Sequence, residues 1–306
     1  MKPRKKTDDR NSGSRDESHG SALFRKKYGP WALVSGASAG IGAEFAKLAA
    51  AKGLNIALVA RREDALEKLA NVVRERFDVD TRTIVADLAT DDGIEIVKKE
   101  THALEIGLLI NNAGREDSGH FLATPIDEAL DTLDLNCRAP LQLTHHFAGL
   151  MAPRGKGGVI FMASIVAFQG VPYIANYAAT KAYDLILAES LGAELKRHNI
   201  DILAVAPGFT RTELSPEADF RGLPIQPLSP ASVAAHALKS LGKRRLTIPG
   251  AVNKFLYVSG KYFQPRMLNT FSFGQVFRRV LRRKIREPER AMHPNPIQAV
   301  SSKRHD

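Results

Sequence analysis

The sequence predicts a doubly wound α/β domain, a parallel sheet with helices on both faces. Short, near-continuously apolar runs recur along the chain, and segments with helical hydrophobic spacing separate them. Strands apolar on both faces fit a parallel sheet covered on each side by helices. Between residues 31 and 241 there is neither a Gly/Ser linker nor a repeat of solenoid length, so one domain accounts for this stretch.

The runs follow in order as WALVSG from Trp31, NIALVA from Asn55, TRTIVAD from Thr81, GLLINNAG from Gly107, GGVIFMAS from Gly157 and DILAVAPG from Asp201. One helical pattern starts at Ile41 and another runs through Glu75. A longer one spans 176–197, where Leu185, Ile186, Ala188, Leu191 and Leu195 make an apolar stripe and basic residues close the end. Residues 1–27 read as a disordered basic leader, 28–250 as the main domain and 251–306 as a basic aromatic extension.

Composition narrows the function classes. The chain has 306 residues, 44% hydrophobic and 25% charged, as a soluble globular protein does. Its single cysteine, Cys137, excludes an intrachain disulfide and fits a reducing, cytoplasmic compartment. No apolar run approaches the length of a membrane span. The first 20 residues lack the apolar core of a signal peptide, and their acids argue against a mitochondrial presequence, although the cluster from Lys2 to Lys6 has the character of an address. The net charge of +11 sits at the two ends: residues 1–27 carry nine Lys or Arg against four acids, and 242–306 carry fifteen against three. The middle is therefore net acidic, which argues against a nucleic-acid grip there. His145-His146, His102 and His120 lack companion ligands at metal spacing, so no metal site is expected.

The loop after the first run, residues 35–42, reads Ser-Gly-Ala-Ser-Ala-Gly-Ile-Gly. Glycines let a diphosphate approach the backbone, and the following helix offers unpaired amides and its positive dipole end. The G-x-x-x-G-x-G spacing departs from G-x-G-x-x-G, and such a turn also occurs as plain structure. After the second run stand Arg61 and Arg62, where an NAD-binding domain places an acid for the ribose hydroxyls. Guanidinium groups instead suit the extra phosphate of NADP. Two arginines at a helix start also oppose the dipole, a conflict that a phosphate would relieve.

Tyr177 and Lys181 stand at i and i+4 and share a helix face. A phenol titrates near ~10, so it exchanges protons poorly at neutral pH unless a cation stabilises its phenolate. Tyr257 and Lys261 repeat the spacing. Only Tyr177 has Ser164 thirteen residues upstream, at the end of an apolar run that would deliver a hydroxyl to the sheet edge.

Together these residues resemble the short-chain dehydrogenase/reductase family over roughly residues 29–250: the glycine loop, Asp87-Leu88, Asn111-Asn112-Ala113-Gly114, Asn136, Ser164, Tyr177 with Lys181, and Pro207-Gly208. The resemblance implies about seven parallel strands of Rossmann type, a nicotinamide cofactor across their carboxyl ends, and an oxidoreductase. It implies that Gly36, Ser38, Ala39, Gly40, Ile41 and Gly42 hold the diphosphate of NADP(H), that Arg61 and Arg62 meet its phosphate, and that Asp87 and Leu88 flank the adenine. Asn112, Ala113 and Gly114 would line the cleft, and Pro207, Gly208, Thr210 and Thr212 would hold the nicotinamide end. Tyr177 would be the general acid, Lys181 would bind the ribose and lower the phenol's pKa, Ser164 would bond the substrate oxygen, and Asn136 would steady a water relay. Relatives commonly pair through the helices bearing Asn136 and Tyr177, which implies a homo-oligomer.

Ile165, Phe168 and Tyr173 fall where the family's substrate pocket lies, and each reads equally as core. In the extension, Phe255, Leu256, Tyr257, Phe263, Phe271, Phe273 and Phe277 mix with basic groups. Over 275–286, Val276, Phe277, Val280, Leu281 and Ile285 oppose Arg278, Arg279, Arg282, Arg283 and Arg286. Such a helix lies on an anionic membrane, or packs on its own domain or a partner subunit. The tail resembles those of family members that reduce acyl or steroid ketones at membranes, which implies a hydrophobic carbonyl substrate and lipid metabolism. The competing classes are a non-catalytic NADP-binding scaffold or redox sensor, against which the intact Ser164, Tyr177 and Lys181 argue; a nucleic-acid binder through the ends; and a sugar-nucleotide epimerase, whose glycine spacing differs.

Overall fold

The computed structural model describes residues 10–212, 226–282 and 285. Seven strands form one sheet: β1 (Trp31–Ser35), β2 (Asn55–Ala60), β3 (Thr81–Val85), β4 (Ile106–Asn111), β5 (Gly157–Met162), β6 (Ile200–Val205) and β7 (Leu246–Thr247). Their order is β3-β2-β1-β4-β5-β6-β7, with every neighbouring pair parallel. The order reverses between β1 and β4, so their carboxyl ends open a crevice, the usual ligand position in such sheets. Every residue of β4 and β5 is buried, as strands covered on both faces must be.

Helices α2 (Gly40–Ala50), α3 (Glu63–Phe77) and α8 (Pro230–Ser240) cover one face, where Phe45, Leu66 and Val233 are fully buried. Helices α4 (Asp91–Glu100), α6 (Ala139–Met151) and α7 (Ala175–Glu194) cover the other, around Phe147 and Phe161. The helix expected over 176–197 is α7 followed by a 3-10 turn, Leu195–His198.

The structure corrects one expectation and decides between two others. Where a disordered leader was expected through residue 27, a helix, α1, runs over Arg10–Tyr28. Two aromatic anchors near its end hold it: Tyr28 is buried, Phe24 packs on it with ring centroids 4.7 Å apart, and the Tyr28 hydroxyl donates to Asp201 Oδ2 at 2.5 Å. The Lys2 to Lys6 cluster lies outside the described residues.

The extension forms α9 (Ala251–Tyr262) and α10 (Arg266–Val280). Phe277, Val280, Leu281 and Ile285 are buried in a third apolar cluster with Ile165, Val166, Ile174, Tyr177 and Ala178. Of the alternatives open for this apolar face, the chain's own domain is the one it packs on, where Ile165, Val166, Ile174 and Ala178 offer matching apolar side chains. Arg283 and Arg286, expected on the opposite face, and the segment after Pro288 lie outside the described residues.

Candidate active site

The glycine loop joins β1 to α2 and has no room for larger residues. Gly36 (φ +66°) and Gly40 (φ +57°) adopt left-handed backbone. A Cβ on Gly36 would lie 2.8 Å from Ala113 Cα, and one on Gly42 would lie 2.2 Å from the Gly36 carbonyl oxygen. Ala39, which caps α2, gives no side-chain acceptor to the helix's first amides, and Ile41 continues the opening turn. From across the crevice Thr212 comes within 3.4 Å of a Cβ built on Gly40, so the segment after β6 reaches the loop.

Ser35 fastens this loop to the end of β4. Its Oγ donates to Ile110 O at 3.2 Å and accepts from the Asn112 and Ala113 amides at 2.9 and 3.0 Å. The Asn112 side-chain amide donates to Ser35 O at 2.9 Å and Gly36 O at 3.2 Å. Residues 75 positions apart thereby form one rim of the crevice.

At the end of β2, Arg62 Nη2 donates to Ser38 Oγ at 3.2 Å, while Arg61 lies 3.7 Å from Asp87 Oδ2 on the exposed rim. Leu88 is buried beside them. Glu63 and Asp64 occupy the first turn of α3 and already satisfy its dipole. The dipole conflict is therefore weaker than the sequence suggests, and the case for a phosphate rests on the reach of Arg62 to the glycine loop. Together the open cradle at Gly36, Gly40 and Gly42 and this guanidinium fit the diphosphate and added phosphate of NADP(H).

Asn136 sits in a π turn, Asp134–Arg138, between α5 (Ile126–Leu133) and α6. Such turns often mark functional sites, because the extra residue redirects a side chain. Fully buried, Asn136 accepts from the Arg115 amide at 2.9 Å and donates to Arg115 O at 2.9 Å and Thr180 Oγ1 at 3.0 Å. Gly114 lies between the groups expected to form the relay: a Cβ there would meet Asn136 Oδ1 at 3.4 Å and Lys181 Nζ at 3.6 Å.

Ser164 caps the 3-10 turn Ile165–Phe168 directly after β5, and Tyr177 occupies the first turn of α7. Both are anchored. Ile165 N donates to Pro207 O at 2.9 Å, and Asn176, beside Tyr177, donates to Asp117 Oδ2 at 2.7 Å. Burial raises the Tyr177 phenol well above its ordinary value, the nearby Glu116 carboxylate adds to this, a hydrogen bond with Ser164 opposes it, and Asp184 raises it further. The two hydroxyls expected to meet a substrate oxygen thus lie close enough to influence one another.

Lys181 Nζ lies 5.9 Å from the Tyr177 ring centroid, donates to Met162 O at 2.8 Å and pairs with Asp184 Oδ2 at 3.0 Å. Both side chains of the pair are almost fully buried, and Asp184 Oδ1 has no partner. Desolvation lifts the Asp184 carboxyl above its usual range, and the ammonium opposes that rise. Sequence reading missed Asp184, although it stands three residues after Lys181 and seven after Tyr177, on their helix face. It also missed Asn253, which is buried against Gly208: a Cβ on that glycine would lie 2.3 Å from Asn253 Oδ1. Thr210 Oγ1 donates to Gly208 O at 3.1 Å, so Pro207, Gly208 and Thr210 form one ordered edge of the crevice. Tyr173, read as pocket or core, adopts left-handed backbone (φ 69°) with its ring edge-on to His120.

Tyr257 and Lys261, the competing pair, lie on α9, where the Tyr257 ring packs on Phe168. A proton donor next to a serine hydroxyl, a buried lysine and a phosphate cradle together provide for acid–base exchange at a substrate oxygen beside a bound dinucleotide.

Residues 30–220 match the short chain dehydrogenase family. The chain is a short-chain dehydrogenase. This short-chain dehydrogenase is 32% identical over 246 residues to the very-long-chain 3-oxoacyl-CoA reductase of Rattus norvegicus, covering 77% of this chain and 78% of that protein. It is 30% identical over 240 residues to the 7β-hydroxysteroid dehydrogenase of Collinsella aerofaciens, covering 76% and 90% of the two chains. Among solved structures, a short-chain dehydrogenase from Sphingobium yanoikuyae in complex with NADPH superposes with a TM-score of 0.69 at 32% identity, covering 76% of this chain and 92% of that one. Among the described residues, no helix is long and apolar enough to cross a membrane.

Proposed function

We propose that this dehydrogenase interconverts a carbonyl and an alcohol on a hydrophobic substrate with NADP(H), reduction being the cellular direction. The observation that carries the reading is the Ser164–Tyr177 hydroxyl pair at the end of β5 with Lys181 one helical turn on. When bound, the dihydronicotinamide supplies hydride to the carbonyl carbon. Negative charge then grows on the carbonyl oxygen, where Ser164 and Tyr177 donate hydrogen bonds to it. Tyr177 gives up its proton; Lys181 stabilises the phenolate, and Asn136 with Gly114 holds the path by which the proton is replaced. Gly36 to Gly42 hold the diphosphate, Arg61 and Arg62 the added phosphate, Asp87 and Leu88 the adenine, Asn112 to Gly114 the cleft wall, and Pro207, Gly208, Thr210 and Thr212 the nicotinamide end.

The named activities of the two curated relatives, on an acyl-CoA and a steroid, support a lipid-like substrate. Support for a membrane contact comes from a different face than the buried one: Phe255, Tyr262, Phe263, Met267 and Phe271 are 64–86% exposed about the α9–α10 turn, with Lys254, Lys261 and Arg266 among them.

The test is a panel of acyl and steroid ketones with NADPH and NADH, run on the wild type and Tyr177→Phe. Turnover with NADPH, lost by about a thousandfold in the variant while NADPH still binds, is the expected result. Near-normal turnover by Tyr177→Phe would remove the assignment.

A further inference from the structure

A cavity of about 310 Å³ lies between the 3-10 turn that follows Ser164 and the α9–α10 pair. Ile165, directly after Ser164 in the chain, is in its wall, so the cavity adjoins the turn that Ser164 caps. Phe168, Leu256 and Phe273 continue an apolar wall, Lys261, Gln264 and Arg266 are its exposed polar residues, and Asn269 is buried among them. None of its lining residues is acidic.

The rim is held in place by its neighbours. Lys261 Nζ donates to the Tyr257 hydroxyl at 3.0 Å, and the Tyr257 ring packs on Phe168 with centroids 4.4 Å apart. Asn269 donates to Gly260 O at 2.8 Å and ties α10 to α9 beside Lys261. Lys261 is exposed and an ammonium at neutral pH, as an ordinary lysine is.

Resting on the function proposed above, we infer that this cavity is an anion-recognising subsite: it takes a substrate whose apolar body runs along Phe168, Leu256 and Phe273 and whose far end carries a carboxylate or phosphate at Lys261 and Arg266. A reacting carbonyl at Ser164 and Tyr177 then sits at one end of an amphiphile, with its charge at the other. In an acid the apolar body lies between the carbonyl and the charge, whereas in a phosphate-bearing carrier thioester the carrier arm occupies that stretch; the anion at Lys261 and Arg266 is what the two sources share.

The experiment uses the full chain and two matched pairs of probes. One is a keto-steroid acid and its methyl ester; the other is a long-chain 3-oxoacyl-CoA and the same acyl group on N-acetylcysteamine, which lacks the phosphates. The readout is the KM ratio of neutral to charged member, with binding to Tyr177→Phe measured calorimetrically alongside. Preference for the charged member is expected in at least one pair, and the pair that shows it identifies the source. Lys261→Gln or Arg266→Gln should reduce that ratio about two- to fivefold, as an exposed ion pair allows, and Lys261→Arg should restore it. Ratios near one in both pairs for the wild type, or ratios unmoved by both glutamine substitutions, would overturn the subsite. Charge-dependent binding without turnover of any ketone would retain the subsite and reject the proposed activity.

Discussion

Replacing Asp184 with Asn tests whether the buried carboxylate restrains the phenol. Asp184 and Tyr177 stand seven residues apart on α7, so the helical rise separates them by about 10 Å. At an effective dielectric constant of about 20, two unit charges at that distance repel by about 1.6 kcal/mol, roughly tenfold in an equilibrium. Tyrosinate is the base for alcohol oxidation, so the fraction of active enzyme rises with pH until the phenol is ionised. Removing the carboxylate favours the phenolate, and Lys181 is no longer paired with an opposite charge at 3.0 Å. At any pH below the plateau, Asp184→Asn should oxidise alcohol roughly tenfold faster, with the rising limb of kcat against pH moved toward acid. The assay is the pH profile of NADP-dependent alcohol oxidation, with circular dichroism to show that the variant is folded. A folded Asp184→Asn enzyme whose limb does not move would refute the electrostatic link, leaving Asp184 a structural anchor for Lys181.

Two further outcomes follow from the geometry. Arg62→Ala removes the guanidinium that reaches Ser38 Oγ at 3.2 Å; KM for NADPH should rise about tenfold or more while KM for NADH changes little, and an equal rise for both would reject the phosphate role. Phe263→Ser with Met267→Ser removes two of the most exposed apolar side chains, at 79% and 86%, and should abolish flotation with anionic liposomes in low salt; flotation unchanged by the pair would rule out this face as the contact.

Much of this architecture was legible in the sequence, for physical reasons. Five of the seven strands announce themselves because burial on both faces demands apolar runs, and the edge strand Thr81–Val85, where only Ile84 is buried, was read from the short apolar run that ends it. The seventh, Leu246–Thr247, is two residues long and leaves no such signature. Ser164, Tyr177 and the glycine loop were readable because each stands at a fixed offset from a strand end, and the structure brings Ser164 and Tyr177 together. Asp184 was not readable: a carboxylate on a helix reads as a solvent-facing group, and only the packing of α7 on the sheet encloses it. Helix α1 was hidden by averaging, since a polar composition masks two aromatic anchors at its end. The tail's apolar stripe was recognised, but periodicity gives the existence of a face without its partner.

The packing of α10 behind Tyr177 has a consequence for how the enzyme can diversify. The groups that move protons lie on β5, the π turn and α7, whereas much of the wall that a substrate body would touch comes from a hairpin more than seventy residues later. The two regions meet where Tyr257 packs on Phe168 and where Phe277, Val280 and Leu281 join the cluster around Tyr177. Changes at Leu256 or Phe273, in the cavity wall, can therefore alter what is accepted while the buried residues behind Tyr177 stay in place, so selectivity is mutable on one side of the hairpin and reactivity on the other.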